Sequence, residues 1–155
     1  MSTERIANIT LDEGSMKKRS PEAAHERDVA IADLLDANSF EPHCMKSGPY
    51  NVQLAIEDGK LVLGVHSPQE QKHAKVVLSV APLRGIIRDY FMIFESYQAA
   101  ISSGSPCKIE AIDMGRRGVH NEGSEMLQDI LKDRIVVDFP TARRLFTLIC
   151  VLHIK

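Results

Sequence analysis

The chain is poor in the features that define several protein classes. Its 155 residues include nine glycines, seven prolines and three cysteines, so neither a collagen-like nor a disordered composition applies. Cys44, Cys107 and Cys150 lie far apart and form no Cys-x-x-Cys pair, which excludes a disulfide framework and a zinc knuckle. A reducing compartment is therefore expected.

A long hydrophobic run is also missing. The longest mainly apolar stretch, residues 145–154, is about half of a membrane span. The N-terminus is polar and carries no apolar segment of the kind found in signal peptides. We therefore predict a cytoplasmic protein that does not act at a membrane.

Neither sign of charge dominates. Lysine and arginine number 19 against 21 aspartates and glutamates, a formal net charge of −2, which removes the overall attraction to nucleic acid. Apolar residues make up 44% of the chain, enough for one compact core at this length. We expect one domain spanning residues 1–155, with a short strand and a polar loop in residues 1–19.

Strand signals predict a small antiparallel meander. Asp58-Gly59 favours a type I′ turn, which makes residues 52–57 and 60–65 a hairpin. If Glu57 pairs with Lys60, the apolar residues of both strands fall on one face. These cross-strand pairs would be Ile56–Leu61, Leu54–Leu63 and Val52–Val65. Residues 6–11, 74–80 and 135–139 are further predicted strands.

Helical signals surround this meander, so the fold is predicted to be α+β. Helices are expected after Ser20-Pro21 to about Asn38, from Pro82 to Gly104, from Ser105-Pro106 to about residue 113, and from Ser124 to about residue 132. Asp138 or Thr141 would cap a last helix over residues 142–153, for which a buried strand is the alternative. Three glycines fall between residues 115 and 123, so we expect a shaped loop there.

That loop is the predicted site. Arginine forks bind carboxylates or phosphates bidentately, and glycines let backbone N–H groups turn toward a ligand. The alternative is an internal ion-pair network that braces the loop. We expect one of its two arginines to pair with a carboxylate and the other to face the ligand. The predicted ligand-binding residues are Asp113, Arg116, Arg117, His120, Asn121 and Glu122.

Two other functions compete with anion binding. An enzyme would use His120 with Glu122 or Asp113 as acid and base, provided that these side chains converge in a cleft. The sequence Gly115-Arg-Arg-Gly118 between two helices is compatible with the KH arrangement, which clamps nucleic-acid backbone. The flanking carboxylates and the acidic net charge disfavour nucleic acid.

No catalytic residue, cofactor or metal site is predicted. One histidine near Asp113 and Glu122 gives no metal-ligand spacing, and His25-Glu26-Arg27 is expected on a solvated helix face. Arg143-Arg144 is a second basic feature, at the unfavourable start of the last helix. Salt bridges to Asp133 or Asp138 are expected to neutralise it.

Several motifs carry a resemblance to a known family over nearly the whole chain from Ser20 onward. They are His25-Glu-Arg27, Gly48-Pro-Tyr50, Asp89-Tyr-Phe-Met92 with Glu95-Ser-Tyr97, Ile109-Glu-Ala-Ile-Asp-Met-Gly-Arg-Arg-Gly118, His120-Asn-Glu-Gly-Ser124 and Thr141-Ala-Arg-Arg-Leu-Phe-Thr-Leu148. The chain resembles the uncharacterised protein family UPF0262, small soluble bacterial proteins with no assigned activity. The resemblance implies a bacterial cytoplasmic protein and no particular reaction, cofactor or partner. The residues therefore lead to our prediction of a non-enzymatic or regulatory protein that binds an anionic small molecule or a partner protein.

Overall fold

The structure, a computed structural model, describes residues 4–12 and 21–153. The predicted polar loop after residue 12 and the predicted cap Ser20 lie outside the described residues. The strands are β1 (Ile6–Leu11), β2 (Phe40–Pro42), β3 (Tyr50–Glu57), β4 (Lys60–Ser67), β5 (Lys72–Ser79) and β6 (Ile135–Val137). The helices are α1 (Pro21–Asp36), α2 (Arg84–Ser103), α3 (Pro106–Leu131) and α4 (Phe139–Leu152), with a 3-10 turn at Ala81–Leu83.

The predicted hairpin is confirmed in turn and in register. Asp58 and Gly59 have φ angles of 52° and 73°, as a type I′ turn requires. Glu57 pairs with Lys60, and the ladder continues through all three predicted apolar pairs. That apolar face of β3 and β4 lies in the hydrophobic core.

The turn can be tested at Gly59. Gly59→Val forces a β-branched residue to a positive φ, so we expect the free energy of unfolding to fall by about 1–3 kcal/mol. Gly59→Asn is the matched control, because asparagine adopts this conformation at much lower cost. Urea unfolding of both variants measures the difference. Equal stability of the two variants would contradict the turn assignment.

The sheet contains the predicted meander and one additional strand, β1, which pairs parallel to β3. Its strand order is β1-β3-β4-β5, and β5 continues the antiparallel meander as predicted. β1 joins parallel to β3, with Ile9 opposite Val52, so the sheet is mixed. The predicted last strand exists as β6, but it pairs with β2, with Phe40 opposite Val137. The α+β class is confirmed.

Helix α4 is the most apolar helix of the fold. The helix prediction for this segment is confirmed and the strand alternative is wrong. Asp138 caps the helix, because its Oδ1 accepts a hydrogen bond of 2.9 Å from the Thr141 N–H. Every residue from Leu145 to Leu152 is buried, since α4 contacts both α1 and α3. Its all-round apolar sequence reflects this central position.

The loop predicted around residues 113–122 is wrong. Helix α3 runs without a break from Pro106 to Leu131, and it joins the two short helices that the sequence predicted. A glycine costs a helix interior about 1 kcal/mol relative to alanine, and packing outweighs that cost here. Gly115 lies beside Ile93 of α2, and Gly123 lies against the ring of Phe146 in α4.

Among residues 4–12 and 21–153, no helix combines the length and the apolar character that crossing a bilayer needs.

Candidate functional site

His120 lies on α3 at the point where three elements meet. Its ring contacts the rings of Tyr90 and Phe146 edge to face, at centroid distances of 5.4 and 6.2 Å. Its Nδ1 is 3.4 Å from the Thr147 Oγ1. Burial, together with the nearby charges of Arg143 and Arg116, lowers the pKa of His120 to about 4. The imidazole is therefore neutral near pH 7.

The helix separates His120 from its predicted acid–base partners. Glu122 is exposed, and its position is rotated by about 200° from that of His120 around the helix axis. Asp113 is engaged by two arginines of its own helix. Glu122 therefore lies on another face of α3, and Asp113 precedes the imidazole by about two helical turns, on the order of 10 Å along the helix axis.

Arg116 ties three helices together. Its Nη1 lies 3.5 Å from Glu26 Oε1 on α1, and its Nε lies 3.6 Å from Asp113 Oδ1 on α3. Its guanidinium also covers the ring of Tyr97 on α2, 4.7 Å from the ring centroid. The ion-pair network that the sequence offers as an alternative for this segment is present. It connects helices instead of stabilising a loop.

The remaining residues of the predicted site form contacts at the surface of α3 or lie within the helix. Arg117 is 69% exposed, and its Nη2 lies 3.0 Å from Asp113 Oδ2. Asn121 accepts a hydrogen bond from Arg143 on α4. Gly115 and Gly118 lie in the middle of α3. The KH hypothesis is therefore wrong in its premise, because it needs this G-x-x-G segment as a loop between two helices.

Arg143 and Arg144 differ from the sequence expectation. Within the described residues, neither arginine forms a salt bridge to Asp133 or Asp138. Arg143 Nη1 donates to Asn121 Oδ1 at 2.7 Å, and Arg144 Nη1 donates to the Pro140 carbonyl at 3.0 Å. The Arg144 Nε is buried and has no hydrogen-bond partner.

Like charge concentrates around Arg143. Burial lowers the pKa of Arg143, and the charges of Arg144, Arg116 and Arg117 lower it further. Three other guanidiniums therefore lie within electrostatic reach of Arg143. Such a cluster favours any negatively charged group that enters it.

A cleft of about 180 Å³ opens between α1, α3 and α4, and we call it the arginine cleft. Arginines of α3 and α4 line it, together with the neutral His120 and Thr147 and with two acidic residues of α1. Its described lining consists of Glu26, Val29, Ala30, Asp33, Arg116, His120, Arg143, Arg144 and Thr147.

A second concavity of about 580 Å³ adjoins the cleft, and we call it the outer groove. The two share Glu26, Val29 and Arg116. The outer groove combines apolar, aromatic and acidic side chains from α1 and α2. Its other described lining residues are Pro21, Glu22, His25, Tyr97, Gln98 and Ile101.

A larger trough of about 660 Å³ crosses the sheet. His66 and His73 stack there across β4 and β5, with ring centroids 4.1 Å apart. Among its described lining residues, Lys75 is the single lysine or arginine. The guanidinium donors suited to an anion therefore lie in the arginine cleft rather than in this trough.

No group of three or more histidine, cysteine, aspartate or glutamate side chains is arranged to hold a metal ion among residues 4–12 and 21–153.

Part of the cleft is not evident from the sequence. The sequence predicts salt bridges for Arg143 and Arg144, and nothing in it distinguishes Asp33 or Thr147 as site residues. One feature of the sequence argues against such salt bridges. A helical ion pair joins residues three or four apart, and no carboxylate lies at that spacing from either arginine on the last helix.

The fold and the cleft define a small α+β protein with a charged, arginine-lined recess in its helical layer. The chain belongs to the uncharacterised protein family UPF0262, whose model matches residues 3–155. The family resemblance inferred from the motifs is therefore confirmed.

Curated bacterial relatives cover almost the whole chain. UPF0262 proteins of Brucella suis and Brucella abortus are each 53% identical over 150 residues, covering 96% of this chain and 93% of theirs. A UPF0262 protein of Allorhizobium ampelinum is 50% identical over 149 residues, covering 96% and 94%. No solved structure matches the chain significantly.

Proposed function

We propose that the protein binds a small anion, a carboxylate or a phosphate, in the arginine cleft. The observation that carries this proposal is that Arg143 and Arg144 line the cleft without a described carboxylate partner. Both line the cleft, and neither forms an ion pair with a described carboxylate within 4 Å. A guanidinium has five N–H donors. Arg143 and Arg144 each donate one hydrogen bond to a described protein oxygen.

An anion would relieve an unfavourable feature of the cleft. Burial lowers the pKa of Arg143, and the charges of the neighbouring guanidiniums lower it further. A bound anion would offset this mutual repulsion through charge-assisted contacts to the guanidiniums.

The remaining lining supports binding rather than catalysis. His120 is the described imidazole of the cleft, and its pKa of about 4 leaves it unprotonated near pH 7. A general acid or base works best when its pKa is close to the operating pH. The hydroxyl of Thr147 already donates to the Arg143 carbonyl at 3.1 Å. These neutral groups orient a ligand, and the arginines attract it.

The proposal is tested by thermal melting with inorganic phosphate. At saturating phosphate, about a hundred times its Kd, we expect the wild-type melting temperature to rise by roughly 5–10 °C. Arg143→Ala should abolish this rise, because it removes a cleft guanidinium. Sodium chloride at matched ionic strength controls for general screening.

Arg117→Ala is the matched variant. It removes the same charge from an exposed side chain that does not line the described cleft, so the phosphate effect should persist. Equal loss in both variants would indicate diffuse electrostatic attraction and would overturn the cleft as the site. A wild-type protein unaffected by phosphate and by small carboxylates would overturn anion binding itself.

A further inference from the structure

The two walls of the arginine cleft carry opposite charge. Glu26 and Asp33 are seven residues apart on α1, which places them about two turns apart on one helix face. Both line the cleft from α1, and Arg143 and Arg144 line it from α4. The recess therefore presents a negative wall and a positive wall to the same small volume.

Within the described part of the chain, the ion pair found in the cleft involves neither Arg143 nor Arg144. Glu26 pairs with Arg116, whereas Asp33 forms no ion pair with Arg143 or Arg144 among the described residues. A purely anionic ligand in this volume would meet the arginines and also the Asp33 carboxylate. Placing like charges together at a binding site costs affinity and is a common basis of discrimination.

From this arrangement, and resting on the anion site proposed above, we propose that the ligand is a zwitterion of the amino acid class. Its carboxylate contacts Arg143 and Arg144, and its ammonium group contacts Asp33. The ammonium group then pairs with a carboxylate that lacks a described ionic partner. Both charged walls are satisfied by one small molecule.

The outer groove provides room for the rest of such a molecule. It continues from the cleft past Val29 and Arg116, and it includes the exposed apolar side chains of Val29 and Ile101. An amino acid side chain that leaves the cleft at Val29 meets apolar surface there. This lining favours an amino acid with an aliphatic side chain over glycine.

Matched probe pairs separate the ammonium contribution from the anionic one. Titration calorimetry would compare glycine with acetate and L-leucine with 4-methylpentanoate, since each acid is the amino acid without its ammonium group. We expect each amino acid to bind about tenfold or more tightly than its acid, equivalent to at least about 1.4 kcal/mol. Leucine should also bind more tightly than glycine.

Asp33→Asn should remove the preference for the amino acid while retaining acid binding. Asp36→Asn is the control, because Asp36 is an exposed carboxylate of the same helix outside the described cleft lining. It should keep the preference.

The two proposals fail differently. If acids and phosphate bind through Arg143 but the ammonium group adds nothing, the zwitterion inference is overturned and the anion site stands. If Asp33→Asn and Asp36→Asn reduce the preference equally, Asp33 is not the contact and the inference is overturned. If neither acids, amino acids nor phosphate bind, both proposals are overturned.

Discussion

Replacing Gly123 by alanine is expected to lower the free energy of unfolding by about 3 kcal/mol, near the upper end of overpacking costs. The added Cβ would lie within 2.6 Å of three ring atoms of Phe146. That ring is fully buried and is confined by a close-packed core, so α3 and α4 would have to separate. For a domain of this size the melting temperature should fall on the order of 10 °C.

Gly118→Ala is the contrasting variant on the same helix. A Cβ at Gly118 meets nothing within 4 Å, so only helix propensity changes and stability should rise by about 1 kcal/mol. In a Phe146→Leu background, which removes the obstructing ring atoms, Gly123→Ala should cost much less. If Gly118→Ala and Gly123→Ala change stability alike, the close α3–α4 contact is contradicted.

These glycines also show where sequence reasoning stops. The hairpin was predictable because its cause is local, namely an Asp58-Gly59 turn flanked by matching apolar alternation. Gly123 follows a different rule, since it is required by a ring that lies 23 residues later in the chain. A single sequence does not reveal that contact. The density of glycines therefore predicts a loop, whereas tertiary packing sustains a continuous helix.

The site was predictable in its chemistry and not in its geometry. Asp113, Arg116 and Arg117 were identified as a charged cluster, and they do form ion pairs. The arrangement of the cleft depends on α1 and α4 meeting beside α3, which brings Asp33 toward Arg143. Such long-range contacts arise from core packing, so sequence spacing along one element does not contain them.

The second large effect concerns pH and the buried imidazole of His120. Its pKa is lowered to about 4 by burial, with smaller contributions from Arg143 and Arg116, whereas an unfolded histidine titrates near 6.5. Between these values the unfolded chain binds a proton that the folded protein excludes. The stability that the neutral imidazole contributes is therefore complete above about pH 6.5 and is lost as the pH falls toward about 4. The full difference is worth about 3 kcal/mol.

Urea unfolding at several pH values between about 7 and 4 measures this loss. Carboxylates titrate in part of the same range, so the readout is the difference in pH slope between the wild type and His120→Leu. The variant removes the imidazole. Its free energy of unfolding should therefore change less steeply with pH than that of the wild type between about pH 6.5 and 4.5. This holds whatever the stability of the variant at pH 7. His25→Leu is the matched control for replacing a histidine by leucine, because His25 is exposed on α1. Superimposable slopes for the wild type and His120→Leu would show that the folded protein accommodates a protonated His120, contrary to its position between Tyr90 and Phe146.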